Sequence, residues 1–521
     1  MNTKHLLSIL AAGLCGTMSS FAAVEFYVSP NGNDGDNGSK EHPFQTVEQA
    51  VLSVEENTET TIYLEKDATF LIGKLDLMEN KIVTIIGDNT TIKGAEQPGY
   101  EGGEANRILR AATGCQVKIS GVTFQNGRQV GYFPGGAIFF TGKTLEIDNC
   151  KFIDNEGGSC GGAIACRGGD VVVKNSYFEN NYILGGGARG AAITHCGYAD
   201  YTPSSLTVEN CAFIDNDLTQ GGQGPAISIY DPSTEGGSYS SINSLTVINS
   251  TFINNTSTDA YQAAIDISGN SDCTTTLVNN TFYKNDGALR LDFQLAPVYM
   301  FNNAVYANKT AVLGGWTIAD SDRTSIVAYN NVLVGEEAGI NEFIDDASLN
   351  GDKEACNNIV GKSSSYAFST FGLGTELEFA ENSAAAYLPI NSESSILVNA
   401  GLDNSSEYTE NNVIPSTDAR GASANGKKDI GAYEYNGQFG SVNAIEVNNS
   451  SFVFAQTASE IIVTNKSNEI STVNVYSIDG KLVKTAKGST VTISYNELPK
   501  GLVLVNAASN NTVETHKFII R

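Results

Sequence analysis

Short stretches in which apolar and polar residues alternate recur along the chain between residues 117 and 360. Four of them read LEIDNCKF (145–152), VVVKNSYF (171–178), LTVENCAF (206–213) and LTVINSTF (245–252). Alternation with many β-branched residues is typical of β-strands that bury one face. The spacing between stretches is uneven, which favours coils with constant strands and variable corner loops over helical repeats of fixed length.

Two apolar columns and one polar column give the register in which such coils would stack. The aromatic column comprises Phe124, Phe152, Phe178, Phe213, Phe252 and Phe282 and continues as Val305, Leu333 and Val360. An asparagine column stands three residues earlier: Asn149, Asn175, Asn210, Asn249, Asn279, Asn302, Asn330 and Asn357. The second apolar column comprises Ile138, Ile164, Ile193, Ile227, Ile265, Leu289, Val312 and Ile340. At ~4.8 Å per coil, the asparagine amides are expected to form a hydrogen-bonded ladder. The columns together predict a parallel β-helix around an apolar core.

Three segments resemble known families. FxxN followed by GGA and Ile, Leu or Val resembles the repeat of the polymorphic outer-membrane proteins, a surface β-helix class. FYVSPNGNDGDNGSKEHPFQTVEQAV (26–51) resembles the first segment of secreted right-handed β-helix proteins, polysaccharide lyases among them, and DIGAYEY (429–435) resembles the end of related surface β-helices. The resemblance implies an all-β chain with a single-stranded right-handed parallel β-helix, the pectate-lyase-like fold, over residues 23–437. At its start, Thr46 is expected to cap a short helix through Val54 that covers the first coil.

The two ends of the chain differ from this region. Residues 1–22 read as a secretory signal peptide, with Lys4, an apolar run and a cleavage position before Ala23. That run is too short for a transmembrane helix, which needs ~20 apolar residues, and no other segment is long enough. Residues 441–521 contain VNVYSIDGKLVKT, GLVLV and KFIIR. They resemble the C-terminal sorting domain of the Bacteroidetes type IX secretion system. That resemblance implies a small β-sandwich, contact with the secretion machinery, and a secreted or cell-surface, outer-membrane-associated location.

Charge narrows the choice of partner. The net charge is −27, and residues 441–521 hold six acidic and seven basic side chains, so the β-helix region carries the excess. Such an acidic surface repels phosphate backbones, which argues against nucleic acid. A polyanionic glycan would need local basic residues or bridging calcium, whereas a neutral polysaccharide or a host or cell-surface glycoprotein would not.

The candidate site follows from the residues one and three positions past the second apolar column, which are expected to face outward. They include Arg167, Tyr230, Asp266, Arg290 and Asp292. The long loops 196–205 and 230–241 flank this face and add Tyr198, Tyr201 and Tyr239.

Two interpretations of the face stay open. In the functional one, the tyrosines and Arg167 bind sugar, and Arg290 binds or deprotonates a uronate. Asp266 with Asp292 then holds calcium or forms an acid–base pair. In the structural one, the three charged residues form a solvated salt bridge across coils and the tyrosines fold the loops onto the coils.

A second candidate for calcium lies in the loop SPNGNDGDNGS (29–39). Asn31, Asn33, Asp34 and Asp36 offer oxygen ligands, but their spacing is not that of an EF-hand, and Asx-Gly pairs also make good turns.

Four further side chains are of types that can carry chemistry. His195 is expected to point inward as a packed residue, and Cys166 and Cys196 lie one coil apart, where a disulfide is conceivable. Ser159 fits G-x-S-x-G but sits in a corner loop without the strand–turn–helix elbow. The NTD, GHG and WIDH segments of the catalytic proteins of this fold are absent. The sequence therefore favours a binding or adhesion role towards glycan. The alternative is a polysaccharide lyase or glycoside hydrolase that uses Asp266, Arg290 and Asp292.

Overall fold

The computed structural model of the chain divides into two compact units. The first comprises residues 1–420 and 426–435, and the second comprises residues 421–425 and 436–521. The structure describes residues 24–94, 107–129, 131–185, 187–198, 204–218, 220–230, 239–240, 242–258, 262–268, 273–292, 296–307, 309–314, 326–340, 357–404, 414–439, 452–456, 460–467, 469–477, 481–509 and 512–520.

The first unit is a right-handed parallel β-helix in which each coil passes through two long sheets. We call the 20-stranded sheet the bent sheet and the 11-stranded sheet the isoleucine sheet. The strands of the bent sheet are Val24–Val28, Glu59–Leu64, Thr69–Ile72, Ile82–Gly94, Gln116–Gln125, Thr144–Asp148, Lys151–Ile153, Asp170–Lys174, Tyr177–Glu179, Ser205–Glu209, Ala212–Ile214, Ser244–Ile248, Thr251–Ile253, Thr274–Val278, Thr281–Tyr283, Val298–Phe301, Ala304–Ala307, Ile326–Tyr329, Val332–Gly335 and Ile359–Lys362. The strands of the isoleucine sheet are Leu75–Leu77, Leu109–Ala111, Ile138–Phe140, Ile164–Arg167, Ile193–Tyr198, Ile227–Tyr230, Tyr239–Ser240, Ile265–Ser268, Leu289–Asp292, Thr310–Gly314 and Ala338–Ile340. The predicted fold class is confirmed.

Short strands at one corner link the two sheets. Four of them form one ladder: Glu156–Gly157, Tyr182–Ile183, Asp217–Leu218 and Thr256–Ser257. Two more, Ala188–Arg189 and Gly222–Gln223, form a second. Between the described strands of these sheets, the pairings from coil to coil are parallel except that of Tyr239–Ser240 with Ile193–Tyr198, which is antiparallel.

The asparagine column bends the bent sheet. All eight predicted asparagines have φ between 48° and 54°, the left-handed region that Asn tolerates better than most residues. From Asn210 to Asn302 each amide donates to the asparagine of the preceding coil, as in Asn210 Nδ2 to Asn175 Oδ1 at 3.1 Å and Asn249 Nδ2 to Asn210 Oδ1 at 3.2 Å. The predicted ladder is therefore confirmed over these coils, and it sets the sharp turn in each one.

The aromatic column forms a continuous stack inside the coils. Phe152 and Phe178 have ring centroids 4.7 Å apart, and Phe178 and Phe213 have centroids 4.8 Å apart, with nearly parallel planes. These rings are fully buried. The second apolar column stacks in register on the opposite wall, as in the pairing of Ile164 with Ile193. The core therefore lies between the two columns that the sequence predicted.

A second amide ladder, which the sequence analysis did not assign, lies three residues after the aromatic column. It comprises Asn155, Asn181, Asn216, Asn255 and Asn285, all almost completely buried. Each of the first four donates to the next at 2.9 Å, and all five donate to a backbone carbonyl of a preceding phenylalanine. Both amide hydrogens and the amide oxygen are thus used inside the core, which explains why the repeat reads FxxN.

The N-terminal helix closes the first coil. It spans Val47–Leu52, and the Thr46 hydroxyl accepts from the Gln49 amide at 3.2 Å as its N-cap. Val47, Ala50 and Val51 are buried against the coils. The predicted cap is confirmed, and the helix ends two residues before the predicted Val54, which is itself buried.

After the last coil, the chain folds back along the outside of the bent sheet. We call the described residues 366–404, 414–420 and 426–435 the return segment. It contains the helix Phe368–Phe371 and the strand pair Glu378–Phe379 and Ala386–Tyr387. It docks on the asparagine column: Ala384 N donates to Asn149 Oδ1 at 2.7 Å, and Asn302 Nδ2 donates to the Leu402 carbonyl at 2.9 Å. The described residues of the return segment therefore form a covering layer on the bent sheet.

The second unit is a small antiparallel β-sandwich. One sheet contains Phe452–Gln456, Glu460–Asn465 and Thr490–Ser494; the other contains Leu482–Gly488, Ser471–Ser477, Gly501–Ser509 and Thr512–Ile520. A short 3₁₀-helix, Tyr495–Glu497, follows one strand, and Ala422–Ser423 pairs with Gln438–Phe439. Inward residues such as Val473 and Val503 form its core. The predicted β-sandwich is confirmed.

Candidate functional site

A concave site of about 440 Å³ lies on the outer side of the isoleucine sheet, at its N-terminal coils. Its lining consists of Lys74, Arg107, Arg110, Gln129, Tyr132, Phe133, Pro134, Phe139 and Arg167. We call it the basic cavity. Its volume falls within the ~300–1,000 Å³ typical of small-molecule sites in proteins.

Three consecutive strands of the isoleucine sheet form the floor of the basic cavity. Arg110 lies directly opposite Phe139 in the register, and Phe139 lies opposite Ala165 on the next coil. Since alternate side chains of a strand point to the same face, Arg167 projects outward two positions after Ala165. Arg167 is one of the residues predicted on this outward face, and Phe139, one position past Ile138, follows the same rule. The predicted column began at Ile138, so Arg110 and Lys74 were not predicted.

A corner loop with two exposed aromatic side chains forms the wall of the basic cavity. Tyr132 is 94% exposed and Phe133 is 54% exposed. The Arg107 guanidinium holds this loop, because its Nη2 donates to the Pro134 carbonyl at 2.7 Å and its Nε to the Gly135 carbonyl at 3.1 Å. Gly135 has φ of 74°, and a Cβ there would lie 2.5 Å from the Ile138 carbonyl oxygen, so the corner requires glycine.

The Phe139 ring stabilises the cations that surround it. The guanidinium carbon of Arg107 lies 4.9 Å from the ring centroid, and that of Arg167 lies 5.5 Å from it. Such cation–π contacts partly offset the repulsion between neighbouring guanidinium groups. Lys74 is paired with Asp76 at 3.0 Å.

The charged residues predicted at the centre of the face are brought together but buried. Arg290 Nη1 donates to Asp266 Oδ1 at 3.0 Å across adjacent coils, and the side chains are 9% and 0% exposed. The predicted salt bridge therefore exists, but the expectation that it would be solvated is wrong. The corner of the preceding coil packs closely against Asp266, because a Cβ on Gly224 would lie 2.9 Å from the Asp266 Cβ.

Tyr230 lies on the same face and contacts a residue that the sequence analysis missed. The Arg189 guanidinium carbon is 3.8 Å from the Tyr230 ring centroid. Arg189 Nη1 also donates to Ser268 Oγ at 2.8 Å and bonds Gln223 Oε1. The half-buried Tyr230 is thus one side of an Arg–Tyr stack. The sequence marked Arg189 only by its place in a Gly-Ala-Arg-Gly corner.

Two other tyrosines of the predicted site, Tyr198 and Tyr239, lie at the ends of strands. Their backbones pair directly with each other in an antiparallel arrangement. Asp292 ends the strand Leu289–Asp292 and lies opposite Ser268. The side chains of these three residues, and Tyr201 as a whole, lie outside the described residues.

The oxygen atoms of the N-terminal loop serve local structure. Asp34 Oδ1 accepts from the backbone amides of Gln45 and Thr46 at 2.9 Å, and Asp34 Oδ2 accepts from Thr46 Oγ1 at 2.8 Å. Asn33 Oδ1 accepts from Gly35 N at 3.0 Å as an Asx turn. Asn31 and Asp36 stand beside them, exposed. Within the described ranges, no group of three His, Cys, Asp or Glu side chains could hold a metal ion.

The histidine and cysteines of the coils are packing residues. His195 is fully buried, with Nδ1 3.0 Å from the Cys196 carbonyl oxygen and Nε2 3.1 Å from that of Gly169. The conceivable Cys166–Cys196 disulfide is absent, because both thiols are free. Cys166 pairs with His195, and Arg167 pairs with Cys196. That offset of one residue places the two thiols on opposite faces of the sheet.

Burial of His195 is expected to make the fold sensitive to mild acid. Burial lowers the pKa of the imidazole from 6.5 to about 4, although the two facing carbonyls oppose this shift. The unfolded chain therefore takes up the proton first, so stability falls as pH drops from about 6.5 towards 4. The loss is on the order of 3 kcal/mol. Urea unfolding at several pH values is expected to show this slope in the wild type and a shallower one in His195→Asn.

Exposed His42 provides the control for this titration. Since its side chain is exposed, His42→Asn should leave the slope between pH 6.5 and 4 unchanged. A wild-type slope that His195→Asn does not alter would assign the acid sensitivity to the carboxylates instead.

Comparison with known proteins agrees with this architecture. Residues 53–234 and 107–294 match the family described as right handed beta helix region. Residues 457–521 match the secretion system C-terminal sorting domain. The sorting domain supports a secreted or cell-surface location and implies contact with the type IX secretion machinery. Among the described helices, none is long and apolar enough to cross a membrane.

Several solved structures resemble the chain at low identity. Pectate lyase Pel9A is 14% identical, with a TM-score of 0.48, and the match covers 80% of this chain and 98% of that one. A rhamnogalacturonan lyase is 12% identical, with a TM-score of 0.30, covering 59% and 87%. The GH136 lacto-N-biosidase from Eubacterium ramulus is 11% identical, with a TM-score of 0.28, covering 59% and 67%. A search of curated proteins gives no match. These likenesses carry no argument about activity.

Proposed function

We propose that this right-handed β-helix protein, with its C-terminal sorting domain, acts outside the cell by binding a polysaccharide at the basic cavity. The observation that carries the proposal is the pairing of a concave site with the exposed rings of Tyr132 and Phe133 at its edge. Exposed aromatic side chains beside a cavity mark binding surfaces, because their flat apolar faces gain contact area on association. In this proposal the protein serves adhesion at the bacterial surface, in association with the outer membrane.

The chemistry of the site favours binding over hydrolysis. The lining of the basic cavity, within the described residues, contains no carboxylate, and a glycoside hydrolase needs two. Asp266 and Arg290, the pair considered for catalysis, are buried and would have to be uncovered to touch a substrate. A lyase or hydrolase therefore remains the alternative that the same experiment must address.

The experiment is affinity electrophoresis of the purified chain through gels that contain one polysaccharide each, neutral or acidic. Aliquots are assayed in parallel for new reducing ends and for unsaturated uronate. Retardation by one polymer without product is the expected result. Product from any polymer would overturn the binding-only role, and free migration through every gel would overturn polysaccharide binding.

Removing the aromatic edge is expected to weaken binding. Phe133→Ala and Tyr132→Ala should each lower the affinity for the retarding polymer by on the order of tenfold, because a stacked ring contributes about 1 kcal/mol beyond its buried area. Phe439→Ala is the matched control, since Phe439 is 47% exposed in the second unit and Phe133 is 54% exposed. Equal loss in the control would assign the effect to general surface hydrophobicity.

A further inference from the structure

We infer that the group bound in the basic cavity is an anion, so that the polysaccharide is one that carries carboxylate or sulfate groups. This inference rests on the proposed polysaccharide binding and assigns its chemical class. It departs from the net charge of the chain, which by itself would favour a neutral partner.

Lysine and arginine are a larger share of the residues that line the basic cavity than of the chain as a whole. The chain has 31 lysine and arginine residues against 58 aspartate and glutamate residues. Four of the nine residues that line the cavity are lysine or arginine, and none is acidic. A concave wall concentrates the field of such charges. Asp76, which lies opposite Arg110 in the strand register, is paired with Lys74.

The four cations have different tasks. Arg107 is 8% exposed and uses two donors on the loop carbonyls, so it positions the wall. Lys74 is paired with Asp76. Arg167 lies over the Phe139 ring. Arg110 is half-buried and, among the residues that the structure describes, makes no ion pair.

An anion in the cavity would relieve the repulsion among these groups. Arginine presents a planar fork of donors that matches two oxygens of a carboxylate or sulfate, and such charge-assisted bonds are about twice as strong as neutral ones. The sugar ring that bears the anion would then lie against Tyr132 and Phe133 at the edge. The cavity thus combines an apolar surface for a ring with a cationic floor for its substituent.

The test compares polymers that differ only in charge. The purified chain is titrated with a polyuronate and its carboxyl-reduced form, and with dextran sulfate and dextran, by isothermal calorimetry. We expect at least one charged member to bind on the order of a hundredfold tighter than its neutral partner, since loss of a paired charge costs about 2–3 kcal/mol. The two pairs distinguish carboxylate from sulfate. The purified chain is also titrated with single-stranded DNA in the same way.

Arg110→Gln is the variant that reports on the cavity, and Lys118→Gln is its control. Both remove one positive charge, and Lys118 is an exposed residue of the bent sheet that pairs with Glu146. Arg110→Gln should lower the affinity for the charged polymer by on the order of tenfold and leave that for the neutral one unchanged. Lys118→Gln should change neither. Thermal unfolding of both variants checks that the fold is retained.

The outcomes separate the two proposals. Equal affinity for charged and neutral forms would overturn the anion inference and leave polysaccharide binding intact, whereas no binding to any polymer would overturn both. Charged-form binding that Arg110→Gln does not weaken would also overturn the assignment to this cavity. DNA that binds as tightly as the charged glycan would overturn the glycan class.

Discussion

Replacing Asn181 with alanine is expected to lower the free energy of unfolding by about 4 kcal/mol. The side chain is fully buried and makes four hydrogen bonds. It donates to Phe152 O and Asn216 Oδ1, and its oxygen accepts from the Asn155 backbone and side-chain amides. Alanine removes all four bonds and leaves the Asn155 backbone amide buried without this acceptor, at about 1–3 kcal/mol for each group that stays unsatisfied. Asn216 Oδ1 still accepts from the Asn181 backbone amide, and Asn155 Nδ2 still donates to the Phe124 carbonyl. Urea unfolding followed by circular dichroism measures the shift in midpoint.

The preceding residue, Asn180, is the matched control. It is exposed, its amide donates to Asp154 Oδ1, and its φ is 53°. Asn180→Ala removes the same group but costs only the left-handed backbone strain, about 1–2 kcal/mol. If both variants lost the same stability, the buried ladder would not be the stronger of the two asparagine contributions.

Phe178→Ala is expected to cost a similar amount, about 4 kcal/mol, through a different mechanism. Its ring is fully buried between two neighbours whose centroids lie 4.7 and 4.8 Å away. Truncation removes the apolar transfer energy and leaves a cavity in the stack, which costs about 3–5 kcal/mol for phenylalanine. The same urea experiment measures it.

Phe178→Leu separates packing volume from aromatic stacking. A swap that nearly conserves volume costs less than about 1.5 kcal/mol in most cores. If the leucine variant lost as much stability as the alanine variant, the ring-to-ring contact rather than the filled volume would hold the column together.

The coil interior was predictable from the sequence because its determinants are local. Each strand repeats the same alternation, so the position of residues such as Phe178 and Asn210 in the coil follows from their place in the repeat. Stacking at one coil height then fixes their neighbours. The second ladder was visible only as the last letter of FxxN, and its burial depends on a turn geometry that the letters do not specify.

The basic cavity was only half predictable. Arg167 followed from the isoleucine column, but Arg110 belongs to a coil before the repeats become regular, where Leu109 takes the column position. Extending the column back to Leu75 and Leu109 would have found it. The burial of Asp266 was not predictable, because it depends on the path of a corner loop from a different coil.

The covering of the bent sheet was beyond sequence reasoning for a physical reason. Ala384 meets Asn149 across 235 residues, and Thr417 meets Asn249 across 168. No local pattern encodes contacts at such separation. The return segment itself has little regular structure, so neither period of two nor of 3.6 marks it.

The docking of the return segment imposes an order on maturation. Its contacts with Asn149, Asn249 and Asn302 are made by backbone groups spaced to match coils already stacked in register. A shift of one coil in the stacking would misalign all of these hydrogen bonds together, so the segment docks fully only on correctly stacked coils. The return segment is the last part of the first unit to be synthesised. Its docking therefore follows the formation of the coils and precedes completion of the sorting domain.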